Sequence, residues 1–203
     1  MKSSILAPLA LALALSGGAV MAVGVGQPAP AFAASDASGK PVSLADYKGR
    51  TLVLEWVNPE CPYVRKHYDS GNMQATQKAA TTKGVVWLSV NSTHAGHVDF
   101  KQPAEMTAWA QRQGAAPTAT LMDAEGKIGR AYGARTTPHM YVIDAKGVLV
   151  YAGGIDDKPS ANPADVKGAK NLVIAALADV LAGKPVAQPA TRPYGCSVKY
   201  ADG

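Results

Sequence analysis

The chain has 203 residues, 47% of them hydrophobic, and its 20 lysines and arginines outnumber its 15 aspartates and glutamates, which gives a formal charge of +5. The basic residues are scattered and form no run of the kind that binds nucleic acid or anionic lipid, so we expect neither partner. This length suits a single domain with a sizeable hydrophobic core.

The first 22 residues have the pattern of a secretory signal peptide. Lys2 precedes an apolar stretch from Ile5 to Leu15, and small residues at Val20 and Ala22 form a cleavage signal. The apolar stretch is shorter than the ~20 residues that a membrane-spanning helix needs, so we expect no membrane span. Cleavage near Ala22 would leave 181 residues with a formal charge of +4, in the periplasm or secreted.

The first part of the mature chain predicts an extended arm, a buried strand and a long helix. Residues 26–49 begin with prolines and alanines and contain a turn signal at Gly39, which is typical of an extended arm. The continuous apolar run 52–57 predicts a strand that is buried on both faces. A helix is predicted for residues 62–83, bent near residues 70–72, because glycine and asparagine weaken a helix interior.

A second buried strand and three shorter elements follow. Residues 85–90 predict the strand, and the helical crossover before it predicts parallel pairing with the first strand. Residues 103–109 predict a short helix that stops at Gly114. Residues 119–122 predict a brief strand, and residues 126–132 predict a turn or a helical piece.

The last third of the chain predicts a hairpin, a closing helix and a tail. Residues 139–151 form the hairpin. The helix is predicted to begin at the capping residue Asn162 and to end at Gly183, and one buried face repeats at helical spacing. That face consists of Val166, Ala169, Val173, Ala176, Leu177 and Val180. Residues 182–193 are rich in alanine and proline and predict an extended tail that carries Cys196 back over the domain.

Cys61 lies in the segment Asn58-Pro59-Glu60-Cys61-Pro62, where the first strand gives way to the helix. A helix start collects unpaired backbone N–H groups and the positive end of the helix dipole, and both favour a thiolate over a thiol. Pro62 fits the first helical turn, where its missing N–H costs nothing, so we expect Cys61 to be the capping residue or its neighbour. Cys196 is the only other cysteine, so the two form one redox pair or one structural disulfide.

This order of elements, with Cys-Pro at a helix start and Thr137-Pro138 just before a hairpin and a closing helix, resembles the thioredoxin-like superfamily. The sequence looks most like its redoxin branch, the alkyl hydroperoxide reductase and thiol-specific antioxidant, or peroxiredoxin-like, proteins. The resemblance extends over about residues 25–182. It implies a three-layer α/β fold in which a central mixed β-sheet is flanked by helices, with the thioredoxin-like domain at residues 23–185 and the extended tail at residues 186–203.

The resemblance also implies roles for residues around the reactive cysteine. Thr137-Pro138 matches the cis-proline loop that packs opposite that cysteine in these folds, and Arg135 would be brought near the site with it. Thioredoxins have a second cysteine where Val64 stands, and peroxiredoxins have a threonine and a proline where Asn58 and Glu55 stand. Asn58 is nevertheless a candidate to hydrogen-bond a peroxide or a thiolate.

The chemistry implied is thiol-dependent redox catalysis without a cofactor. A Cys61 thiolate would attack a peroxide oxygen to give a sulfenic acid, or a disulfide sulfur to give a mixed disulfide, and Cys196 would resolve either product. An unidentified thiol would then reduce the pair. Basic residues in the first helical turns would lower the pKa of Cys61, whereas the carboxylate of Glu60 would raise it. The basic residues are Arg65, Lys66 and His67.

Other interpretations stay open. The two cysteines could form a static bridge that ties the tail to the domain, or the first could exchange disulfides with partner proteins. A non-enzymatic scaffold or copper-binding module would use the same cysteine with His67 or His139. His94, His97 and Asp99 have a spacing that a metal could use, but a solvated polar loop explains them better, so we assign no metal site.

Overall fold

The computed structural model describes residues 22–201. The predicted signal peptide lies outside the described residues except for Ala22, so export stays a prediction. Among residues 22–201, no helix combines the length and the apolar character needed to cross a membrane.

The described chain folds into nine β-strands and five α-helices. In order, these are β1 (Ala33–Ser35), β2 (Pro41–Ser43), β3 (Leu52–Trp56), α1 (Pro62–Asp69), α2 (Asn72–Thr81), β4 (Val86–Asn91), α3 (Pro103–Arg112), β5 (Ala119–Met122), α4 (Lys127–Tyr132), β6 (Thr136–Thr137), β7 (His139–Ile143), β8 (Leu149–Gly153), α5 (Leu172–Leu181) and β9 (Cys196–Ser197). The strands predicted from apolar runs are present, with ends displaced by one or two residues.

The central sheet is mixed, as the resemblance implied. Its five strands lie in the order β5-β4-β3-β7-β8. β3 pairs in parallel with β4, with Leu52 opposite Val86, whereas β7 is antiparallel to both β3 and β8. The parallel pairing of β3 and β4 confirms the crossover predicted from the long helical segment between them.

Side chains alternate along β3 between the two faces of the sheet, so the sheet has a hydrophobic core on each side. Val53 belongs to the core that contains residues of α1, α2 and α5. Leu54 and Trp56 belong to the core that contains Tyr132 of α4 and the hairpin β1–β2. Fully burying a side chain such as Leu54 stabilises the fold by roughly 1.5–3 kcal/mol. The predicted three-layer α/β architecture is therefore confirmed.

Gly71 interrupts the long helix predicted for residues 62–83. α1 ends at Asp69 and α2 begins at Asn72, and between them Gly71 has a φ of +75°, in the left-handed region that glycine adopts most readily. The bend expected there is thus a complete break. It separates α1, which starts directly after Cys61, from α2, which packs against β4.

The prediction that the closing helix begins at Asn162 is wrong. Asn162 instead caps the short 3₁₀ helix Pro163–Gly168, where its Oδ1 accepts a backbone N–H at 3.1 Å. The backbone of Ala169 is extended, and α5 has its own cap at Asn171, whose Oδ1 accepts the N–H of Ile174 at 2.9 Å. The apolar spacing extends across residues 163–169, which form a 3₁₀ helix and an extended residue, so the spacing did not reveal the true cap at Asn171.

The tail crosses the domain and returns to the segment that precedes β7. It runs beside β8, where the N–H of Ala152 donates to the carbonyl of Pro189 at 3.0 Å and the N–H of Thr191 donates to the carbonyl of Ala152 at 3.1 Å. β9 then pairs antiparallel with β6, with Cys196 opposite Thr137. This ladder determines where the second cysteine lies.

Candidate active site

Cys61 is the N-cap residue of α1. Its backbone is extended, with a φ of −74° and a ψ of 121°, and its carbonyl accepts the N–H of Arg65 at 3.0 Å. Pro62 occupies the first turn of the helix, where the absent N–H removes no hydrogen bond. The thiol therefore lies at the positive end of the helix dipole, in a residue that is only 2% exposed.

Cys196 lies directly against Cys61. The two sulfur atoms are 2.6 Å apart, and both cysteines are free thiols. The Cys61 thiol also donates to the carbonyl of Thr137 at 3.0 Å, and the peptide bond between Thr137 and Pro138 is cis. Three segments that are far apart in the sequence thus meet at one pair of thiols.

Gly195 allows Cys196 to approach this closely. Its φ is +140°, and a Cβ atom at this position would overlap the carbonyl of Thr137. Any side chain here would therefore push β9 away from β6.

Burial raises the pKa of the Cys196 thiol, and the neighbouring Cys61 raises this pKa further. The thiolate is the nucleophilic form of cysteine, so a raised pKa makes Cys196 the poorer first attacker at neutral pH. The environment of Cys196 suits a residue that reacts second and gives up its proton as the new bond forms.

The charged residues at the start of α1 contact one another at the surface. Arg65 donates to Glu60 at 2.6 Å, and Glu60 also accepts from Lys101 at 2.8 Å. The hydrogen bond from Lys101 is the main cause that holds the pKa of Glu60 below its usual value. In the described part of the chain, neither Arg65 nor Glu60 makes a hydrogen bond to the Cys61 thiol.

Asn58 and Arg135 were both predicted to lie near the site, and neither makes a hydrogen bond to the Cys61 thiol within the described residues. Asn58 is buried, its Oδ1 accepts the backbone N–H of Glu60 at 2.8 Å, and its Nδ2 donates to Asp99 at 3.2 Å. Arg135 is exposed, and its backbone N–H donates to Nδ1 of His139 at 3.3 Å. Asn58 therefore stabilises the loop that directly precedes Cys61.

A cleft of about 870 Å³ lies along the tail segment that precedes Cys196. Its lining includes Thr136, Arg192, Tyr194 and Gly195. Thr136 belongs to the β6–β9 ladder and Gly195 directly precedes it, whereas neither cysteine lines the cleft.

Residues 25–152, more than half of the chain, match the AhpC/TSA family. This chain belongs to the AhpC/TSA family. The match includes Cys61 and the Thr137-Pro138 loop and confirms the resemblance to the redoxin branch, whereas Cys196 lies beyond its end. A search of curated proteins finds no match.

Solved structures similar to this AhpC/TSA protein confirm the thioredoxin-like fold. A hypothetical protein from Sinorhizobium meliloti 1021 is 25% identical with a TM-score of 0.75, and the match covers 90% of this chain and 98% of that one. An uncharacterized conserved protein from Geobacillus kaustophilus is 26% identical with a TM-score of 0.75, with 89% and 94% covered. The thioredoxin domain of a thiol-disulfide oxidoreductase from Bacteroides vulgatus is 22% identical with a TM-score of 0.51, with 64% and 89% covered, and this likeness is one of fold.

Glu55 forms a buried polar cluster in the middle of β3 of this AhpC/TSA protein. Its carboxylate accepts hydrogen bonds of 2.8 to 3.2 Å from Tyr68, Gln77, Trp87 and Ser89. Burial raises the pKa of this carboxyl group. The sequence contains a signal for this cluster, because Glu55 stands within an apolar run that predicts a strand buried on both faces. A buried carboxylate needs several hydrogen-bond donors, so a glutamate in such a strand indicates polar partners around it.

Lys66 and His67 lie in a second buried polar cluster. The Lys66 side chain has no exposed surface, and its Nζ lies 3.3 Å from Asp156 and 2.6 Å from the carbonyl of Lys158. Nε2 of His67 lies 3.1 Å from the hydroxyl of Tyr194, and burial lowers the pKa of His67 to about 4. The imidazole is therefore neutral at pH 7 and does not supply the positive charge that the sequence suggested. Nothing in the sequence predicted that Lys66 and His67 would meet Asp156 and Tyr194.

The other histidines also have local roles. The ring of His139 packs on Tyr141 with centroids 4.4 Å apart, and burial, with a smaller effect of Arg135, lowers the pKa of His139 to about 3. Nδ1 of His97 accepts the backbone N–H of Asp99 at 3.0 Å. Within residues 22–201, no group of three or more His, Cys, Asp or Glu side chains is arranged to hold a metal ion.

Proposed function

We propose that this protein is a thiol-dependent oxidoreductase that reduces peroxides, with Cys61 as the nucleophile and Cys196 as the resolving cysteine. The observation that carries the proposal is the 2.6 Å contact between two free thiols, one of them at a helix N-terminus. A disulfide bond is about 2.05 Å long, so forming it needs only a small movement of either sulfur. Membership of the AhpC/TSA family supports a peroxide as the oxidant.

The first step oxidises Cys61. Its thiolate attacks one oxygen of the peroxide, the O–O bond breaks, and the leaving oxygen takes up a proton, so that a sulfenic acid stays on Cys61. Cys196 then attacks that sulfur: the S–S bond forms, the S–O bond breaks, and hydroxide leaves as water with the proton of Cys196. An external thiol reductant must return two electrons to the pair. The raised pKa of Cys196 supports this order of events.

Thiol-disulfide exchange with a partner protein is the second candidate. It is favoured by Asn58, which stands where the resemblance to peroxiredoxins calls for a threonine and whose side chain is already hydrogen-bonded within its loop. The cleft along the tail, whose lining includes Tyr194 and Gly195, also has room for a peptide segment. In this reaction Cys61 forms a mixed disulfide with the partner, and Cys196 displaces the partner's thiol by closing the intramolecular bond.

A single-turnover measurement separates the two candidates. The reduced protein receives one equivalent of hydrogen peroxide, and free thiols and intact mass are followed over seconds. Peroxide reduction predicts the loss of both thiols and a mass decrease of about 2 Da, whereas Cys196→Ser should stop at a sulfenic acid with a gain of about 16 Da. Thiols that persist for minutes would refute the peroxidase, and mixed disulfides trapped on Cys196→Ser by oxidised proteins would support exchange.

We also propose that the protein works outside the cytosol. The proposal rests on the signal-peptide pattern of residues 1–22, and it agrees with a catalytic disulfide, which forms and persists most readily in oxidising compartments. Cell fractionation with N-terminal sequencing should find a mature chain that begins near Val23. A cytosolic protein that retains Met1 would refute export.

A further inference from the structure

Tyr194 lies two residues before Cys196, and its hydroxyl enters a buried polar socket. The socket consists of Lys66, His67 and Asp156. The side chains of Lys66 and Asp156 are 0% and 1% exposed. Lys66 and His67 belong to α1, whose N-cap is the reactive cysteine, so the socket and the nucleophile are part of the same rigid element.

The hydroxyl of Tyr194 has its full set of hydrogen bonds in this socket. It donates to Oδ1 of Asp156 and accepts from Nζ of Lys66 at 3.2 Å. Asn72 donates to Nδ1 of His67 at 2.8 Å, so the neutral imidazole carries its proton on Nε2 and donates it to the tyrosine oxygen at 3.1 Å. One donated and two accepted bonds satisfy a hydroxyl group, which makes this position specific for tyrosine.

The buried ion pair in turn depends on that hydroxyl. The three protons of Lys66 Nζ face Asp156, the carbonyl of Lys158 and Tyr194. A buried charged group that loses a hydrogen-bond partner is strongly destabilised, because no water replaces the partner. Phenylalanine would retain the ring contact with Tyr63, whose centroid lies 5.9 Å away, but would leave the charges in the socket under-bonded.

The chain between Tyr194 and Cys196 is too short for the two residues to move independently. Only Gly195 separates them, and it lies against the carbonyl of Thr137. Cys196 itself is opposite Thr137 in the β6–β9 ladder. Two residues span at most about 7 Å, so a displacement of Tyr194 from its socket also displaces the resolving thiol.

We propose that Tyr194 is a positioning residue for Cys196: docking of its hydroxyl between Lys66, His67 and Asp156 raises the effective concentration of the Cys196 thiol at Cys61. This inference rests on the proposed redox function of the thiol pair. With oxidised glutathione as the oxidant, the pair loses two electrons and two protons and one intramolecular S–S bond forms, while each oxidised glutathione becomes two reduced molecules. Docking favours that bond because the second thiol is already oriented.

Glutathione redox buffers test this inference by giving the equilibrium constant between the thiol pair and its disulfide. Tyr200→Phe is the matched control, because Tyr200 anchors the tail on the other side of Cys196 and its hydroxyl donates to the carbonyl of Ala134 at 2.8 Å, outside the charged socket. We expect Tyr194→Phe to lower the effective concentration of the Cys196 thiol at Cys61 about ten-fold, because the variant loses hydrogen bonds to charged groups. Tyr200→Phe should lower this concentration less than about three-fold.

The possible outcomes separate the inference from the proposed function. If Tyr194→Phe has the equilibrium constant of the wild type, the positioning role is overturned and the redox pair stands. If the wild type forms no Cys61–Cys196 disulfide in any buffer, both are overturned. A variant with one glycine inserted between Tyr194 and Gly195 keeps the hydroxyl but lengthens the link, so it tests the role even if Tyr194→Phe fails to fold. In this variant the effective concentration of the Cys196 thiol at Cys61 should also fall about ten-fold. An equilibrium constant equal to that of the wild type would overturn the positioning role.

Discussion

Replacing Lys66 with methionine measures how strongly the buried cluster beside α1 stabilises the protein. Nζ of Lys66 lies 3.3 Å from Oδ2 of Asp156, and the side chains are 0% and 1% exposed, so solvent does not screen the pair. Methionine keeps most of the apolar stem but removes the charge, which leaves the Asp156 carboxylate buried without its cation. Breaking a buried pair in this way costs roughly 3–5 kcal/mol.

Urea unfolding of the reduced protein measures this loss directly. The buried side chains of Trp56 and Trp87 provide a fluorescence signal for the transition, and the linear dependence on urea gives the free energy of unfolding. For a protein of this size, each kcal/mol lowers the melting temperature by about 2–4 °C, so the expected loss corresponds to a decrease of roughly 6–20 °C.

Lys127→Met is the matched control. Lys127 lies 2.5 Å from Glu125, but the side chains are 82% and 73% exposed, so we expect no measurable change in stability. Adding Asp156→Asn to Lys66→Met removes the unpaired charge and should recover part of the loss. If Lys66→Met loses no more stability than Lys127→Met, the reasoning about the buried pair is refuted.

Three further predictions concern a helix cap, the tail and the pH dependence of stability. Asn171→Ala should lower the free energy of unfolding by roughly 1 kcal/mol, and Asn162→Ala should lower it less because that residue caps only a short 3₁₀ helix; equal losses in urea unfolding would contradict this difference. Gly195→Ala should speed alkylation of the Cys61 thiol, because the new Cβ overlaps the carbonyl of Thr137 and displaces the tail that covers Cys61. Gly168→Ala is the control and should leave the rate unchanged, since no atom lies within 4 Å of its added Cβ. If neither variant alters the rate, the tail is not what covers the thiol. Burial lowers the pKa of His139 from 6.5 to about 3. Between these two pH values the folded protein holds this residue neutral, whereas the unfolded chain binds a proton. The free energy of unfolding present above pH 6.5 therefore decreases as the pH falls towards 3. His139 contributes up to about 1.4 kcal/mol per pH unit to this loss, and His67 contributes in the same direction because burial lowers its pKa to about 4. His139→Phe should therefore reduce, without abolishing, the dependence of the urea midpoint on pH; identical slopes for the two proteins would exclude this cause.

The place of Cys61 at a helix start could be predicted from the sequence because its determinants are local. An apolar run predicts β3, Pro62 fits the first turn of the helix, and Cys61 between them becomes the cap wherever the rest of the chain lies. The break at Gly71 is local in the same sense, since it depends on the conformational freedom of one glycine. The false start at Asn162 shows where such reasoning stops, because Asn162 does cap a helix, but only the short 3₁₀ helix, and α5 begins at the unpredicted cap Asn171.

The sequence by itself therefore determined the order of the central strands and helices, the family, and the place of Cys61 at a helix start, because backbone preferences and apolar periodicity act over a few residues. Only the tertiary structure decided which side chains meet that cysteine. Cys196 is 135 residues from Cys61, and Tyr194 and Lys66 are 128 residues apart. Such contacts depend on the register of β6 against β9 and on the mutual satisfaction of buried polar groups. These are properties of the packed chain, and no short segment encodes them.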